Sequence, residues 1–152
     1  TVEEALSRMQ AYCAYQERCH KEVRQKLREM NMIPMAQDHI MAKLIEENFL
    51  NETRFAKAFD RGKFRFKYWG KYRIERELKA RDINAYNIKE EFKEISNSDY
   101  NTHFHKIADK RLKQLESETN LMKKKQKFIS YLQYRGWESH LIFEKWNDEH
   151  PY

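Results

Sequence analysis

Trp69-Gly70-Lys71-Tyr72-Arg73-Ile74-Glu75-Arg76-Glu77-Leu78 is the centre of a longer stretch, Asn51 to Ile95, whose reading decides the fold. Ile74 and Leu78 are four apart, so on a helix they share the inward face, and Tyr72, Arg76 and Lys79 face away with Arg73 beside them. Upstream, Asn51-Glu52-Thr53-Arg54-Phe55-Ala56 opens a second helix-like pattern that runs through Arg61-Gly62-Lys63. Trp69 and Gly70 divide the two patterns. Glycine admits a close or positive-φ turn between helices, and tryptophan at such a junction is usually buried, so this pair reads as a structural corner. Both flanking helices carry cations on one side and apolar residues on the other, which describes a binding surface rather than a catalytic pocket.

Working outward, the same grammar covers the chain. Only two prolines and three glycines occur in 152 residues, 36% of which are charged, and β-branched runs are scarce. Nothing supplies the turn punctuation that many short strands need, so the class is all-α. Apolar periodicity predicts about nine helices, at 4–17, 20–30, 36–48, 52–67, 70–81, 85–95, 100–116, 120–135 and 138–148. Thr1 with Glu4 has capping-box spacing, Asn51 and Asn84 stand where N-caps belong, and Asn31, Asp82 and Gly136 occupy the turn position after a helix.

The nine segments fall into three groups of three. In the middle helix of each group Val23 and Leu27, Ile74 and Leu78, and Phe128 and Leu132 are four apart, followed by the turns Asn31-Met32, Asp82-Ile83 and Gly136-Trp137. The third helix then presents Ile40 and Leu44, Ile88 and Phe92, and Ile142 and Trp146. The first helices match less tightly, with Leu6 and Met9, Phe55 and Phe59, and Phe104 and Ile107 inward. A skeleton repeating about every 50 residues predicts tandem three-helix units, at 1–50, 51–97 and 98–152, stacked into an elongated, curved array.

The formal charge is +6, and its distribution says more than its size. From Arg61 to Arg81 nine basic residues stand against Glu75 and Glu77, a net of +7, which leaves −1 for the remainder. This window is the most strongly patterned part of the chain and is interleaved with aromatics, which points to an anionic partner. On the helix 52–67, Phe55, Phe59, Gly62 and Phe66 form the expected core stripe, and Lys57, Arg61, Phe64, Arg65 and Tyr68 the expected contact stripe. With Lys67, Lys71, Tyr72, Arg73, Arg76, Lys79 and Arg81 these are the candidate binding residues. Guanidinium forks suit phosphate or carboxylate, and tyrosine stacks on a base or an arginine. A secondary basic cluster comprises Lys106, Lys110, Arg111, Lys113, Lys123, Lys124, Lys125 and Lys127.

Other chemistries find no foothold in the pattern. Cys13 and Cys19 give neither a disulfide framework nor metal spacing, and His103 and His105, two apart, point to different helical faces. There is no Gly-rich phosphate loop, no Ser/His/Asp pattern and no isolated acid pair, so neither an enzyme nor a cofactor or metal site is expected. The start, Thr1-Val2-Glu3-Glu4, lacks the regions of a signal peptide, and no apolar run is long enough for a membrane span. A reduced, cytoplasmic, soluble monomer is expected, either processed or preceded by residues before Thr1.

These motifs resemble the RecX family of recombinase regulators. The likeness extends over nearly the whole chain and is strongest from Asn51 to Ile83. There the family's acidic-acidic-x-Arg-Phe-Ala start appears as Asn51-Glu52-Thr53-Arg54-Phe55-Ala56, its Gly-x-x-Arg-Ile-x-x-Glu-Leu core as Gly70 to Leu78, and its Lys-Gly-Ile turn as Arg81-Asp82-Ile83. Asn51 stands where an acid is usual and Asp82 where glycine is usual; Asn caps a helix as well as Asp does, and Asp tolerates a left-handed turn better than most residues. The resemblance implies a protein that docks on the RecA filament, protein plus single-stranded DNA, and modulates strand exchange, usually by inhibition through occupancy of the filament groove. It also implies a role in homologous recombination, DNA repair and the SOS response, weak direct DNA binding, and no enzymatic activity. Two rival readings remain: an autonomous DNA-binding protein with helix–turn–helix-like units, and a helical scaffold that touches no nucleic acid.

Overall fold

The structure, a computed structural model, describes residues 1–151. Among them there are nine α-helices and no strand: α1 (Val2–Tyr15), α2 (His20–Glu29), α3 (Pro34–Glu46), α4 (Glu52–Lys67), α5 (Lys71–Ala80), α6 (Ala85–Lys93), α7 (Asn97–Gln114), α8 (Leu121–Tyr134) and α9 (Ser139–Glu149).

Short polar side chains start five of these helices, α1, α4, α6, α7 and α8, by taking up N–H groups that have no partner inside the helix. Thr1 and Glu4 form the expected capping box on α1. Oδ1 of Asn51 accepts from the Arg54 amide at 3.0 Å, and Oδ1 of Asn84 from the Asn87 amide at 2.8 Å. Helix α7 begins three residues before its expected start because Ser96 caps it, accepting from the Asp99 amide at 3.0 Å. Helix α3 likewise begins earlier, with Pro34 in its first turn, where a missing N–H costs nothing.

The ends of α2, α5 and α8 are the same structure three times. The amides of Met32, Ile83 and Trp137 donate back to the carbonyls of Leu27, Leu78 and Leu132 at 3.0, 3.1 and 3.1 Å. One residue earlier, the amides of Asn31, Asp82 and Gly136 donate to Arg28, Lys79 and Gln133 at 2.9, 3.0 and 2.9 Å. This double pattern is a Schellman turn, whose closing residue must be left-handed. Asn31 and Asp82 have φ of 60° and Gly136 of 93°. The apolar pairs upstream of each turn, Val23 and Leu27, Ile74 and Leu78, Phe128 and Leu132, are all fully buried.

The chain divides into two compact units, one of Thr1–Phe59 with Leu78–Lys89 and one of Asp60–Glu77 with the chain from Glu90 onward, so the segment 51–97 is shared between them. The first has a core of Ala5, Met9, Cys13, Val23, Leu27, Ile40, Met41, Leu44 and Leu50. Its two thiols are free, and burial pushes Cys13 up to about 11 and Cys19 up to about 12. Arg54, in the motif that opens α4, serves this unit: Nε lies 2.5 Å from Glu17, and Nη2 donates to the carbonyls of Asn48 and Phe49 at 3.0 and 3.2 Å. The second unit is built on rings, with Tyr100 and Phe104 packed at 4.8 and 5.4 Å from Trp137, and Phe128 at 5.6 Å from Trp146.

Because Leu27, Leu78 and Leu132 close equivalent turns at zero exposure, truncating each to alanine should cost a similar amount, about 2–5 kcal/mol. Urea unfolding of the three single variants checks this. A loss at one leucine well below the others would break the equivalence of the three turns.

Candidate functional site

The exposed cations of α4 follow directly from its packing. Ala56, Asp60 and Phe64, each four apart, form one ridge that is buried, as is Phe55. On a 3.6-residue helix an i, i+4 ridge drifts about 40° per step, so the buried stripe rotates away from Phe55 and toward Phe64 along the helix. Two expectations are thereby reversed. Phe64, expected at the contact surface, is a core residue stacked against Tyr100 at 5.9 Å and His103 at 4.3 Å. Phe66, expected in the core stripe, is 80% exposed, and Gly62 is only half-buried with nothing near the place of a side chain. Lys57, Arg61, Arg65 and Lys67 are exposed as expected.

The corner between α4 and α5 is held by the turn between α8 and α9. Nη1 of Arg135 donates to the Lys67 carbonyl at 2.6 Å and Nε1 of Trp137 to the Tyr68 carbonyl at 3.0 Å. In return the Gly70 amide donates to the Arg135 carbonyl at 2.8 Å and the Tyr72 amide to the Gly136 carbonyl at 3.1 Å. Backbone meets backbone here. A Cβ on Gly70 would lie 2.4 Å from the Gly136 carbonyl oxygen, and one on Gly136 would lie 2.3 Å from the Arg73 nitrogen. Gly70 is therefore structural as expected, while Trp69 is half-buried rather than enclosed. Tyr68 turns the corner with a φ of 56°, and its half-buried ring lies 5.2 Å from His103.

The structure separates the expected contact residues into two kinds. Tyr72, Arg76 and Lys79 on α5 are exposed. Arg73, expected to face away, is half-buried and structural: its guanidinium lies 4.0 Å from the Trp69 ring and 4.5 Å from the Tyr134 ring, and Nη1 donates to the Tyr134 carbonyl at 3.4 Å. The cause is the Gly70–Gly136 contact, which brings the α8 turn close enough to engage the side chain next to the Ile74 face. Lys71 is half-buried over the Tyr100 ring at 4.6 Å, and its amide donates to the Tyr100 hydroxyl at 2.9 Å. That hydroxyl in turn donates to the Glu138 carboxylate, and burial together with this bond holds Tyr100 in its neutral form. In the first unit Arg81 packs over Phe59 at 4.8 Å.

The secondary cluster is dispersed. Lys106, Lys110, Lys113, Lys123 and Lys125 are exposed and Lys124 half-buried, while Lys127 is paired with Glu118 at 3.1 Å. Arg111 turns inward onto the Tyr131 ring at 4.5 Å. Among the described residues no three His, Cys, Asp or Glu side chains gather as metal ligands, and no helix is long and apolar enough to cross a membrane.

Sequence reasoning missed Tyr134, Arg135 and Asp60. Tyr134 and Arg135 precede the Gly136 turn, whose likeness to the Asp82 turn was the signal available. Asp60 was signalled by its place four residues from Ala56 and from Phe64. It is buried with Oδ1 unpartnered, and burial, then the neighbouring Glu91, pushes its carboxyl up to about 7 against the pull of Lys71.

Residues 51–90 match the family described as RecX, second three-helix domain, and residues 99–146 match RecX, third three-helix domain, together more than half of the chain. The chain belongs to the RecX family. It is 27% identical over 138 residues to the Regulatory protein RecX of Listeria innocua serovar 6a, covering 91% of this chain and 51% of that protein. With the RecX of Listeria monocytogenes serovar 1/2a it is 28% identical over 140 residues, covering 92% and 52%. The chain thus spans about half the length of the curated RecX relatives it matches. Its fold is similar to a crystal structure of regulatory protein RecX, with a TM-score of 0.79 at 21% identity over 92% of this chain and 68% of that one. It is likewise similar to RecX from Lactobacillus salivarius, with a TM-score of 0.77 at 20% identity over 94% and 92%. The two RecX domain matches cover most of α4–α6 and of α7–α9.

Proposed function

We propose that this chain is a regulator that binds a RecA filament, protein plus single-stranded DNA, and inhibits it by occupying its groove. The observation that carries this reading is the +7 window set on helices that each bury one face, so that Arg61, Arg65, Lys67 and Arg76 stay exposed on a fixed frame. Family membership and the name of the relatives, regulatory protein, support it. Long cations on rigid helices attract a phosphate backbone or an acidic protein surface without needing to be ordered first. Occupancy would block access of a second DNA strand, and the division into three-helix units at 1–50, 51–97 and 98–152 would let several weak contacts act together. No chemical step is involved, the partner contact is made by a monomer, and the setting is cytoplasmic recombination, repair and SOS control.

Arg61→Glu with Arg65→Glu is the test. Both side chains are exposed, so the melting temperature should stay close to wild type, within the ~0.5 kcal/mol usual for surface changes. Inhibition of strand exchange on RecA-coated single-stranded DNA should weaken by about 2–5 kcal/mol of binding where the pairs are desolvated, and wild-type binding should fall steeply with salt. Undiminished inhibition by the folded double variant would remove α4 from the contact. Stronger binding to bare duplex than to the coated strand would favour the autonomous DNA-binding reading instead.

A further inference from the structure

Six side chains of the second unit form two groups of stacked rings and guanidinium groups. Arg73 lies between the Trp69 ring at 4.0 Å and the Tyr134 ring at 4.5 Å. On the same helix as Tyr134, and three residues before it, Tyr131 lies between Arg111 at 4.5 Å and Arg135 at 4.8 Å. The arginines are tethered, Arg73 to the Tyr134 carbonyl, Arg135 to the Lys67 carbonyl and Arg111 to Gln114. Residues three apart on a helix are neighbours, so α8 presents the two tyrosines side by side. Their burial differs. Tyr131 is half-buried, whereas Tyr134 is 69% exposed.

An exposed ring held by a stacked guanidinium loses little freedom on binding, and a π-face beside cations suits an unpaired nucleobase whose phosphates those cations attract. Phe66 and Tyr72, also in this unit, are 80% and 60% exposed; the exposed Arg65 and Lys67 flank Phe66 in the chain, and the exposed Arg76 follows Tyr72 by four residues. From this we infer that Tyr134, whose ring packs against the Arg73 guanidinium, is the stacking platform for a base of single-stranded nucleic acid. This inference rests on the reading of the central basic corner as part of the filament contact, and gives that contact a share in the DNA strand itself.

Fluorescence anisotropy with a thymidine oligonucleotide, an abasic strand of equal phosphate number and a short duplex is the test, using wild type, Tyr134→Phe and Tyr134→Ala. Wild type should hold the thymidine strand about five- to a hundredfold tighter than the abasic strand, the range of one base–ring stack. Tyr134→Phe should keep this preference and Tyr134→Ala should erase it. Equal binding of thymidine, abasic and duplex DNA by wild type would overturn the inference, as would a thymidine preference that survives in Tyr134→Ala. A Tyr134→Ala defect on RecA-coated DNA without any base preference in wild type would assign the ring to a protein contact, against the inference. Wild type inert on the coated strand would reject the filament reading, while the bare-strand comparison would still establish whether Tyr134 stacks on a base.

Discussion

Gly136→Ala should destabilise the second unit by more than ~4 kcal/mol, an exceptional loss for adding one methyl group. Two independent costs meet at this position. A φ of +93° is a conformation that residues with a Cβ rarely adopt, and the added carbon would lie 2.3 Å from the backbone nitrogen of Arg73 and 2.4 Å from its Cβ. No flexible side-chain tip can give way there. Relief requires the α8–α9 turn to withdraw from the α4–α5 corner, which breaks the Gly70–Arg135 and Tyr72–Gly136 backbone bonds and strips Arg73 of the Tyr134 ring. Gly70→Ala should be similarly severe, its Cβ falling 2.4 Å from the Gly136 carbonyl oxygen. Gly62→Ala is the internal control: nothing lies within 4 Å of the added carbon, and alanine in a helix interior should gain roughly 0.5–1 kcal/mol over glycine. Thermal and urea unfolding of the three variants measure all of this. A Gly136→Ala protein that melts with wild type would mean that the corner and the turn are not in contact.

The second large effect is the dependence of stability on pH through Asp60. Its carboxyl is raised from 3.8 to about 7, chiefly by burial, then by the Glu91 carboxylate, with Lys71 opposing. A folded carboxyl above its unfolded value means that the native state binds the proton more tightly than the unfolded state does. Stability from this group is therefore greatest below the unfolded value, falls as pH rises from about 4 to about 7, and is level above that. At ~1.4 kcal/mol per unit, the fall is on the order of 4 kcal/mol. Asp60→Asn removes this group's share of the fall, so the variant should lose less stability than wild type across this window and gain on it at pH above 7, with the advantage shrinking toward acid. Urea midpoints for the two proteins across the window provide the test. Parallel curves would show that Asp60 stays ionised in the fold or that its charge is matched by a cation.

Much of this architecture is legible in one dimension. The i, i+4 apolar pairs, the caps at Asn51 and Asn84 and the left-handed turn residues Asn31, Asp82 and Gly136 are local devices, each satisfied within about one turn of helix by its own neighbours. Such devices leave their mark in spacing, because the physics that requires them spans only four to six residues. The +7 window is similarly readable, since charge is a property of composition.

What sequence determined, then, is the helical class, the threefold recurrence of the turns and the place where positive charge concentrates. Tertiary structure decided which of those charges face solvent. Phe64 and Phe66 are two apart and chemically identical, and only the drift of the buried ridge from Ala56 through Asp60 sends one inward and the other out. Arg73 and Arg76 are equally plausible as surface cations, yet Arg73 is drawn between Trp69 and Tyr134 by a glycine contact with residues more than sixty positions away. A side chain's environment depends on what packs against it, and no spacing rule within α5 encodes the approach of the α8 turn. For the same reason Tyr134, unremarked in the sequence, enters the candidate site: its placement is set by two backbones close enough that neither can carry a side chain.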